Sequence, residues 1–515
     1  MIKKWKRFAA LTLASGTLLA ACGNGNDAET TDPDTSTDDD TTTEAVEDND
    51  EPTQINWMNI LHTASPPTDT IINEIEEYTN TELDFTWIPD ASKEERLNTA
   101  LASGNLGDIV TVTILNNSSV RNAYKAGAFW DVEPFLDDYE NLSEISEDMR
   151  RSASIEGIMY GIPFQKPLAR NGIVIRQDWL DNLGLDVPET LDELYEVARA
   201  FTEDDPDGDG QDNTFGFIDR ADLKYGAFKT IATYHGAPNE WLEEDGTFTP
   251  EFDTQEYVDA MDFLREAYEN GYINQDFAVT SKEDQQEGFA QGRAGIYVGN
   301  LVDARNLRNM SEGLQDHMEL VQVNKMSVDG NSPRIWSDNN GIGGLLSIPV
   351  NEVETEEELR DVLQFLNDII DEEVYMLMTA GIEGVHYEVD GNTTVRLDDD
   401  LWQQEVQPFS SSRPKEVGFD RYQEDDPVKV ESDRLILENE EFAVLNPAYS
   451  LESETFSTNG SELAIIIEDA TYQYILGDID LAGFEDAVQR WYDQGGQQII
   501  DEYEAAYEEA QANMN

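Results

Sequence analysis

The sequence predicts an α/β protein built as two α/β lobes joined by crossover strands around a central cleft. Three observations predict it. Strand-like and helix-like periodicities alternate through residues 55–113, the pattern of a mostly parallel sheet with helices on both faces. A second α/β stretch runs from Leu180 to Tyr268. Between them lies the run Tyr160–Trp179, which holds a Gly-Ile-Pro turn, an apolar strand (Ile173–Ile175) and the start of a helix. Three basic residues, Lys166, Arg170 and Arg176, fall inside that run, in a chain with 32 basic and 109 acidic residues. The run reads as the place where the chain leaves one lobe and enters the other.

In order, Ile55–Ile60 is a first strand and Pro66-Pro67 punctuates the loop after it. Thr68 to Tyr78 has helical spacing, with Ile71, Ile72, Ile75 and Tyr78 on one face. Leu83–Ile88 alternates as a strand. Ser92 is placed to cap a helix through Ala102, with Glu95 completing a capping box. Asp108–Thr113 is a buried strand. Sheets of this kind bind ligands beyond the carboxyl ends of their strands. The residues at those ends are Asn59 and His62, then Asn116, Asn117 and Ser118, then Gln165, Lys166 and Arg170.

In the second half, Leu180–Phe201 is helical, with Thr190 as a cap and Glu193 in box position. Thr254 caps a helix over Tyr257–Tyr268. The small-residue strand from Phe289 to Asn300 reads as a return crossing, and Gly341–Pro349 as a third. Glu356–Ile370 and Val374–Thr379 are helical. Ser461–Ala510 makes two or three helices with Phe484, Val488 and Trp491 on one stripe. The expected division is a first lobe of residues 54–168 plus 297–340, a second of 169–296 plus 341–445, and C-terminal helices over 446–515.

Residues 1–22 have the form of an export signal: Lys3, Lys4, Lys6 and Arg7, then a short apolar stretch from Phe8 to Leu19. It ends in Leu19-Ala20-Ala21-Cys22, which resembles the lipobox of bacterial lipoproteins. Cys22 is the chain's one cysteine, so no intrachain disulfide forms and Cys22 is the expected lipidation site, carrying an anchor such as palmitate. Residues 23–53 carry twelve acidic residues and no basic one. Like charges repel there and no core can form, so this is an extended tether.

The net charge of −77 and pI near 4.1 exclude nucleic acid as an expected partner, since phosphate binding needs a basic footprint. Such a charge strains the folded state by self-repulsion, which salt screens. A saline or alkaline external medium is the expectation that follows.

Asp205-Pro-Asp207-Gly-Asp209-Gly210-Gln211-Asp-Asn213 has the alternating spacing of a calcium loop. Side-chain oxygens at positions 1, 3 and 5, a carbonyl at 7, a ligand at 9 and glycine at 6 suit a hard cation. Asp205, Asp207, Asp209, Gln211 and Asn213 are the expected ligands of a structural ion. Position 12 is Gly216 instead of glutamate, so the loop lacks the usual bidentate ligand.

No G-x-S-x-G, H-E-x-x-H, phosphate-loop or dinucleotide motif is present, and the four histidines are far apart. A binder is therefore expected, not an enzyme. Trp241, Trp336 and Tyr387 stand in polar loops, where an aromatic face can stack on a sugar ring while neighbouring groups take its hydroxyls. With Asn300 and the strand-end residues above, they form the expected ligand-binding set.

Several stretches together resemble the extracellular solute-binding lipoproteins of ABC transporters, in the oligosaccharide-binding group related to the alginate-binding proteins. They include Pro66-Pro67-Thr68-Asp69-Thr70, Leu97–Gly104, Tyr160-Gly-Ile-Pro163, Ile175-Arg-Gln-Asp-Trp-Leu180, the Asp205 loop, Tyr272–Phe277 and Gly381–Tyr387. The resemblance implies a periplasmic-binding-protein-like fold that closes on its ligand by hinge motion. It implies a lipid-anchored monomer on the outer face of a Gram-positive cell membrane, delivery of an oligosaccharide to a permease, and calcium in the Asp205 loop. Lys166 and Arg170 suit the carboxylate of an acidic, plant-derived sugar. A polysaccharide lyase or hydrolase and an adhesive surface lipoprotein are the competing classes.

Overall fold

The computed structural model describes residues 52–513, apart from 64, 114, 116, 415–422 and 425. Cys22, the export segment, residues 23–51 of the tether and Asn116 lie outside the described residues. The strands come in the order β1 (Thr53–Leu61), β2 (Thr81–Pro89), β3 (Ile109–Val112), β4 (Gly161–Gln165), β5 (Asn171–Arg176) and β6 (Phe215–Ile218). There follow β7 (Trp241–Glu244), β8 (Thr247–Pro250), β9 (Ala294–Asn300), β10 (Leu320–Val323), β11 (Ile335–Trp336) and β12 (Ile342–Ser347). The last are β13 (Tyr387–Asp390), β14 (Thr393–Arg396), β15 (Gln423–Glu424) and β16 (Ala443–Val444).

Two sheets organise the chain. The first has the order β2-β1-β3-β12-β4. β1 runs parallel to β2 and β3, while β12 runs antiparallel to β3 and β4. The second has the order β10-β5-β9-β6, with β9 antiparallel to β5 and parallel to β6. Each sheet has its own apolar core. Ile55, Ile109, Val110, Leu345, Leu346 and Leu363 belong to the first; Ile173, Ile175, Phe217, Ile296 and Val298 belong to the second.

This pairing reverses the expected lobe boundaries. Residues 297–340 were expected in the first lobe and 341–445 in the second. Instead β9 and β10 pair in the second sheet, β11 packs in its core through Ile335 and Trp336, and β12 returns to the first sheet between β3 and β4. The helices Glu356–Asp368 and Glu372–Thr379 follow β12 and bury Leu359, Leu363 and Val374 in the first core. The chain is back in the second lobe at Pro427–Asn439, where Leu435 and Ile436 pack on Leu301. Three C-terminal helices, Glu454–Ile475, Leu481–Trp491 and Gln497–Asn513, also cover the second core, through Leu463, Tyr474, Phe484 and Trp491.

Local signals explain most helix ends. Thr190 and Glu193 form a reciprocal capping box, and Thr254 accepts from the Tyr257 amide. Two expectations change. Leu180–Phe201 is not one helix: Gln177–Leu183 ends at Gly184 in the left-handed region, and a second helix begins at Leu191. Ser92 does not cap. Its hydroxyl donates back to the Pro89 carbonyl, and a 3₁₀ turn over Asp90–Ser92 leads into the helix at Lys93.

Two crossovers lie side by side between the sheets. The first joins β4 to β5 through residues 166–170, and the second joins β11 to β12 through residues 337–341. The Lys166 amide donates to the Gly341 carbonyl (2.8 Å) and the Asp338 amide to the Leu168 carbonyl (3.1 Å). The Ser337 hydroxyl also donates to Leu168 (2.6 Å). Asn339, Asn340 and Gly341 all have positive φ, so the second crossover turns sharply as it passes the first. A Cβ on Gly341 would lie 2.9 Å from the Leu168 side chain and 3.0 Å from the Lys166 carbonyl oxygen. Gly341→Ala should therefore lose about 1–3 kcal/mol in urea unfolding. Gly313→Ala is the control, since Gly313 has a similar φ and open space around it; it should lose clearly less.

Candidate binding cleft and metal loop

The crossovers and the carboxyl ends of β6 and β9 enclose two adjoining polar cavities. The larger, of about 390 Å³, is bounded by Arg170, Arg220, Asp222, Tyr225, Lys282, Asn300, Asp303 and Asp338, among others. The smaller, of about 170 Å³, is bounded by Thr113, Leu115, Lys166, Arg170, Asp338, Gly344 and Tyr449, among others. Arg170 and Asp338 border both cavities and join them into one groove.

The groove's charges are placed by backbone. Arg170 ends the first crossover, and its Nη2 donates to Asp338 Oδ2 (3.0 Å). The Tyr225 hydroxyl donates to Asp338 Oδ1 (3.2 Å), and Lys224 Nζ stands 3.8 Å from the same oxygen. Lys224 is also 3.5 Å from Glu240. Burial pulls the Lys224 pKa down, but Glu240, Tyr225 and Asp338 outweigh it and hold the ammonium charged. Arg220 is nearly buried; it donates to the Tyr225 carbonyl and to Gln285 Oε1 (3.3 Å). Lys282 reaches Asp303 at 3.3 Å.

Of the ligand-binding residues expected from the sequence, Arg170 and Asn300 border the larger cavity, and Lys166 and Arg170 the smaller. Lys166 Nζ lies 4.5 Å from the Phe164 ring centre. His62 is near enough to feel Lys166. Burial, first, holds its pKa below the usual imidazole range; Asp90 opposes, and Lys93 and Lys166 add to the depression. Its Nε2 is 2.7 Å from the Ser411 hydroxyl. Gln165 is half-buried in β4, where its amide donates to the Pro414 carbonyl.

Other expected residues have structural duties. Asn59 is fully buried and bonds Ser412 and Thr111. Asn117 caps the helix Ser118–Lys125. The three aromatic candidates are corrected. Trp336 is fully buried, with its indole N–H donating to Thr230 (3.0 Å). Trp241 packs on Trp491 and Tyr503 in the second core, and Tyr387 is buried in β13. Each loop is polar, but its aromatic side chain turns inward, where area burial stabilises it more than an open face would. The exposed ring at the groove is Tyr225, at 40%.

Sequence reading missed Arg220, Tyr225, Lys282 and Asp338. A signal existed for the first two: they follow β6, a parallel strand whose carboxyl end obeys the same rule as β1 and β3.

The metal loop follows the second-lobe helix Leu191–Glu203. The carboxylates of Asp205, Asp207 and Asp209 bring one oxygen each within 4.8 Å of one another. Asp205, Gly208 and Gly210 have positive φ, which wraps the backbone around them. Asp205 Oδ2 accepts from the Gly210 amide (3.1 Å), and Asp209 accepts from Gln211 and Asn213. Asp205 Oδ1 is buried and has no hydrogen-bond partner among the described residues. A buried carboxylate oxygen without a partner, in a residue clustered with two other carboxylates, fits a hard cation. Burial raises the Asp207 pKa; the Asp209 amide opposes, while the charges of Asp209 and Asp205 add to the rise.

Asp219, next to Arg220, is buried and its pKa is pushed up to about 6, mainly by desolvation, while amide donors from Arg220 and Ala227 oppose. A carboxyl raised above its unfolded value of 3.8 favours the folded state below that pH. That contribution fades as pH rises toward 6. Wild-type stability, measured by urea unfolding between pH 4 and 6, should carry a downward component that Asp219→Asn lacks, on the order of 1.4 kcal/mol per pH unit at most.

Residues 64–326 match the family model described as bacterial extracellular solute-binding protein. The chain is 46% identical over 514 residues, 99% of its length and all of the relative's, to the polygalacturonan/rhamnogalacturonan-binding protein YtcQ of Bacillus subtilis (strain 168). It is 35% identical to lipoprotein LipO of the same organism, over 85% of this chain and 88% of LipO. Among solved structures it resembles a human-milk-oligosaccharide-binding, ABC-transporter-associated solute-binding protein from Bifidobacterium longum infantis. The TM-score there is 0.66, at 16% identity, covering 89% of this chain and 99% of that one.

Proposed function

We propose that this chain, a member of the bacterial extracellular solute-binding proteins, captures an acidic pectin-derived oligosaccharide between its lobes and delivers it to the permease of an ABC importer. The charge of the groove carries this reading. Over the whole chain, acidic residues outnumber basic ones by 109 to 32. Around the two cavities the balance is reversed: Lys166, Arg170, Arg220 and Lys282 face Asp222, Asp303 and Asp338. A polyanionic protein has reason to gather cations at a concave site when its ligand is an anion. The name of the 46% identical relative, a polygalacturonan/rhamnogalacturonan binder, points to the same chemistry.

The groove supports binding without turnover. Its carboxylates Asp222, Asp303 and Asp338 each face a cation, respectively Arg220, Lys282, and Arg170 with Lys224, so they serve ion pairing and not the free carboxyl pair of a glycosidase. The paired crossovers, which run in opposite directions, are suited to a hinge that closes the lobes. Cys22 is proposed as the lipidated anchor and residues 23–51 as the tether that holds the binding unit off the outer membrane face. Calcium is proposed in the second lobe, held by Asp205, Asp207, Asp209, Asn213 and the Gln211 carbonyl; there it offsets two of the three carboxylate charges and fixes the loop leading into β6.

Isothermal titration with trigalacturonate should give saturable 1:1 binding without cleavage of the sugar. Arg220→Gln should weaken it about tenfold or more. A protein that cleaves the trimer, or binds no acidic oligosaccharide, would sink the reading. Separately, chelator should lower the melting midpoint and calcium restore it. At 100 times its Kd a bound ion adds about 2.7 kcal/mol; Asp207→Ala should remove the calcium response.

A further inference from the structure

Asp338 differs from the other groove carboxylates. It borders both cavities, and its side chain is 11% exposed. Donors from two separate elements converge on its two oxygens. Arg170 comes from the first crossover; Tyr225 and Lys224 come from the loop after β6. Asp338 itself is held by its amide bond to the Leu168 carbonyl. A guanidinium, a phenol and an ammonium around one carboxylate are what a receptor for a carboxylate looks like. Arg170 uses only Nη2 here among the described residues, and its side chain is 33% exposed, so further N–H groups face the groove.

We infer that Asp338 is an internal counter-anion: it occupies the groove's carboxylate receptor, and a uronate carboxylate of the ligand takes over part of that receptor, Arg170 first. This rests on the proposed capture of acidic oligosaccharides and adds the residue that sets their discrimination. In the empty groove Asp338 keeps Arg170 from standing unpaired in a partly buried site, which would be costly; Lys224 has Glu240 as well. With ligand present it becomes a like charge beside the incoming carboxylate. It thus sets a threshold: a neutral sugar has no group to compete for Arg170, and a single weakly held anion gains little.

The test is titration of the full chain and of Asp338→Asn with three probes: trigalacturonate, its methyl ester and neutral galactotriose. Asparagine keeps the size and an acceptor oxygen while removing the charge. The expected result is a gain of roughly three- to tenfold for trigalacturonate, with the methyl ester and galactotriose changed by less than twofold. Arg170→Gln should lose most of the preference for trigalacturonate over its methyl ester. Equal weakening of all three probes by Asp338→Asn, or no change in any, overturns the inference, because Asp338 then serves hydroxyl binding or the crossover alone. Failure of the wild type to prefer trigalacturonate overturns the underlying reading instead. Should Asp338→Asn melt well below wild type, Tyr225→Phe, which removes one donor from Asp338, supplies the second measurement. It should weaken trigalacturonate binding more than methyl-ester binding, and the reverse order counts against the exchange.

Discussion

The structure depends on two backbone hydrogen bonds between crossovers: Lys166 to Gly341 and Asp338 to Leu168. Everything that makes a groove follows from them. They hold the link between β4 and β5 against the link between β11 and β12, so that the ends of two separate sheets face a common space. Neither segment could lie there alone, because a buried extended strand must satisfy its own amides and carbonyls. The pairing does so while leaving Arg170 and Asp338 to project into the groove. The positive φ angles of Asn339, Asn340 and Gly341 are the local cost, offset by that pairing and by the reciprocal bonds of Asn340 with Asn446.

The strong negative charge of the chain sets the field in which these paired groups sit. Exposed carboxylates repel each other and are screened by salt, but groups in the groove are partly desolvated and screened less. A cation there feels both its near neighbours and the field of the whole molecule. Arg170 and Lys282 are paired with Asp338 and Asp303, and Glu240, Tyr225 and Asp338 raise the Lys224 pKa against the pull of burial. His62 goes the other way: burial and its neighbouring ammonium groups favour the neutral ring. The groove's positive character thus comes from lysine and arginine and not from histidine, which makes it steady across the neutral range.

How much of this could be read from the sequence differs by level. The first sheet's early elements were legible because period and turn agree between Ile55 and Val112, even though the expected Ser92 cap does not form. The Thr190–Glu193 box was legible for the same reason. The lobe assignment was not. Gly341–Pro349 reads as an apolar strand wherever it pairs, and its place between β3 and β4 is set by long-range packing of Leu345 and Leu346. Lys166 and Arg170 were legible as rare cations in an acidic chain. Trp336 was misleading: its run, Ile335-Trp-Ser-Asp-Asn-Asn-Gly341, does contribute to the groove, but through Asp338, while the indole goes inward to Thr230. The three consecutive residues with positive φ were the better marker.

The metal loop and the groove are chemically linked through β6. The Asp205 loop leads into Phe215, and β6 ends at Ile218, one residue before buried Asp219. Asp219 accepts from the Ala227 amide (2.9 Å) and so fixes the turn that carries Arg220, Lys224 and Tyr225. A four-residue strand held in register by Ala294 and Ile296 has little freedom to slide. Order at one end therefore constrains the other: the carboxylates of Asp205, Asp207 and Asp209 before it and the side chains of Arg220, Lys224 and Tyr225 after it share one short connection. A cation held by that loop, as proposed, would act on the groove through this strand without lying in the groove itself.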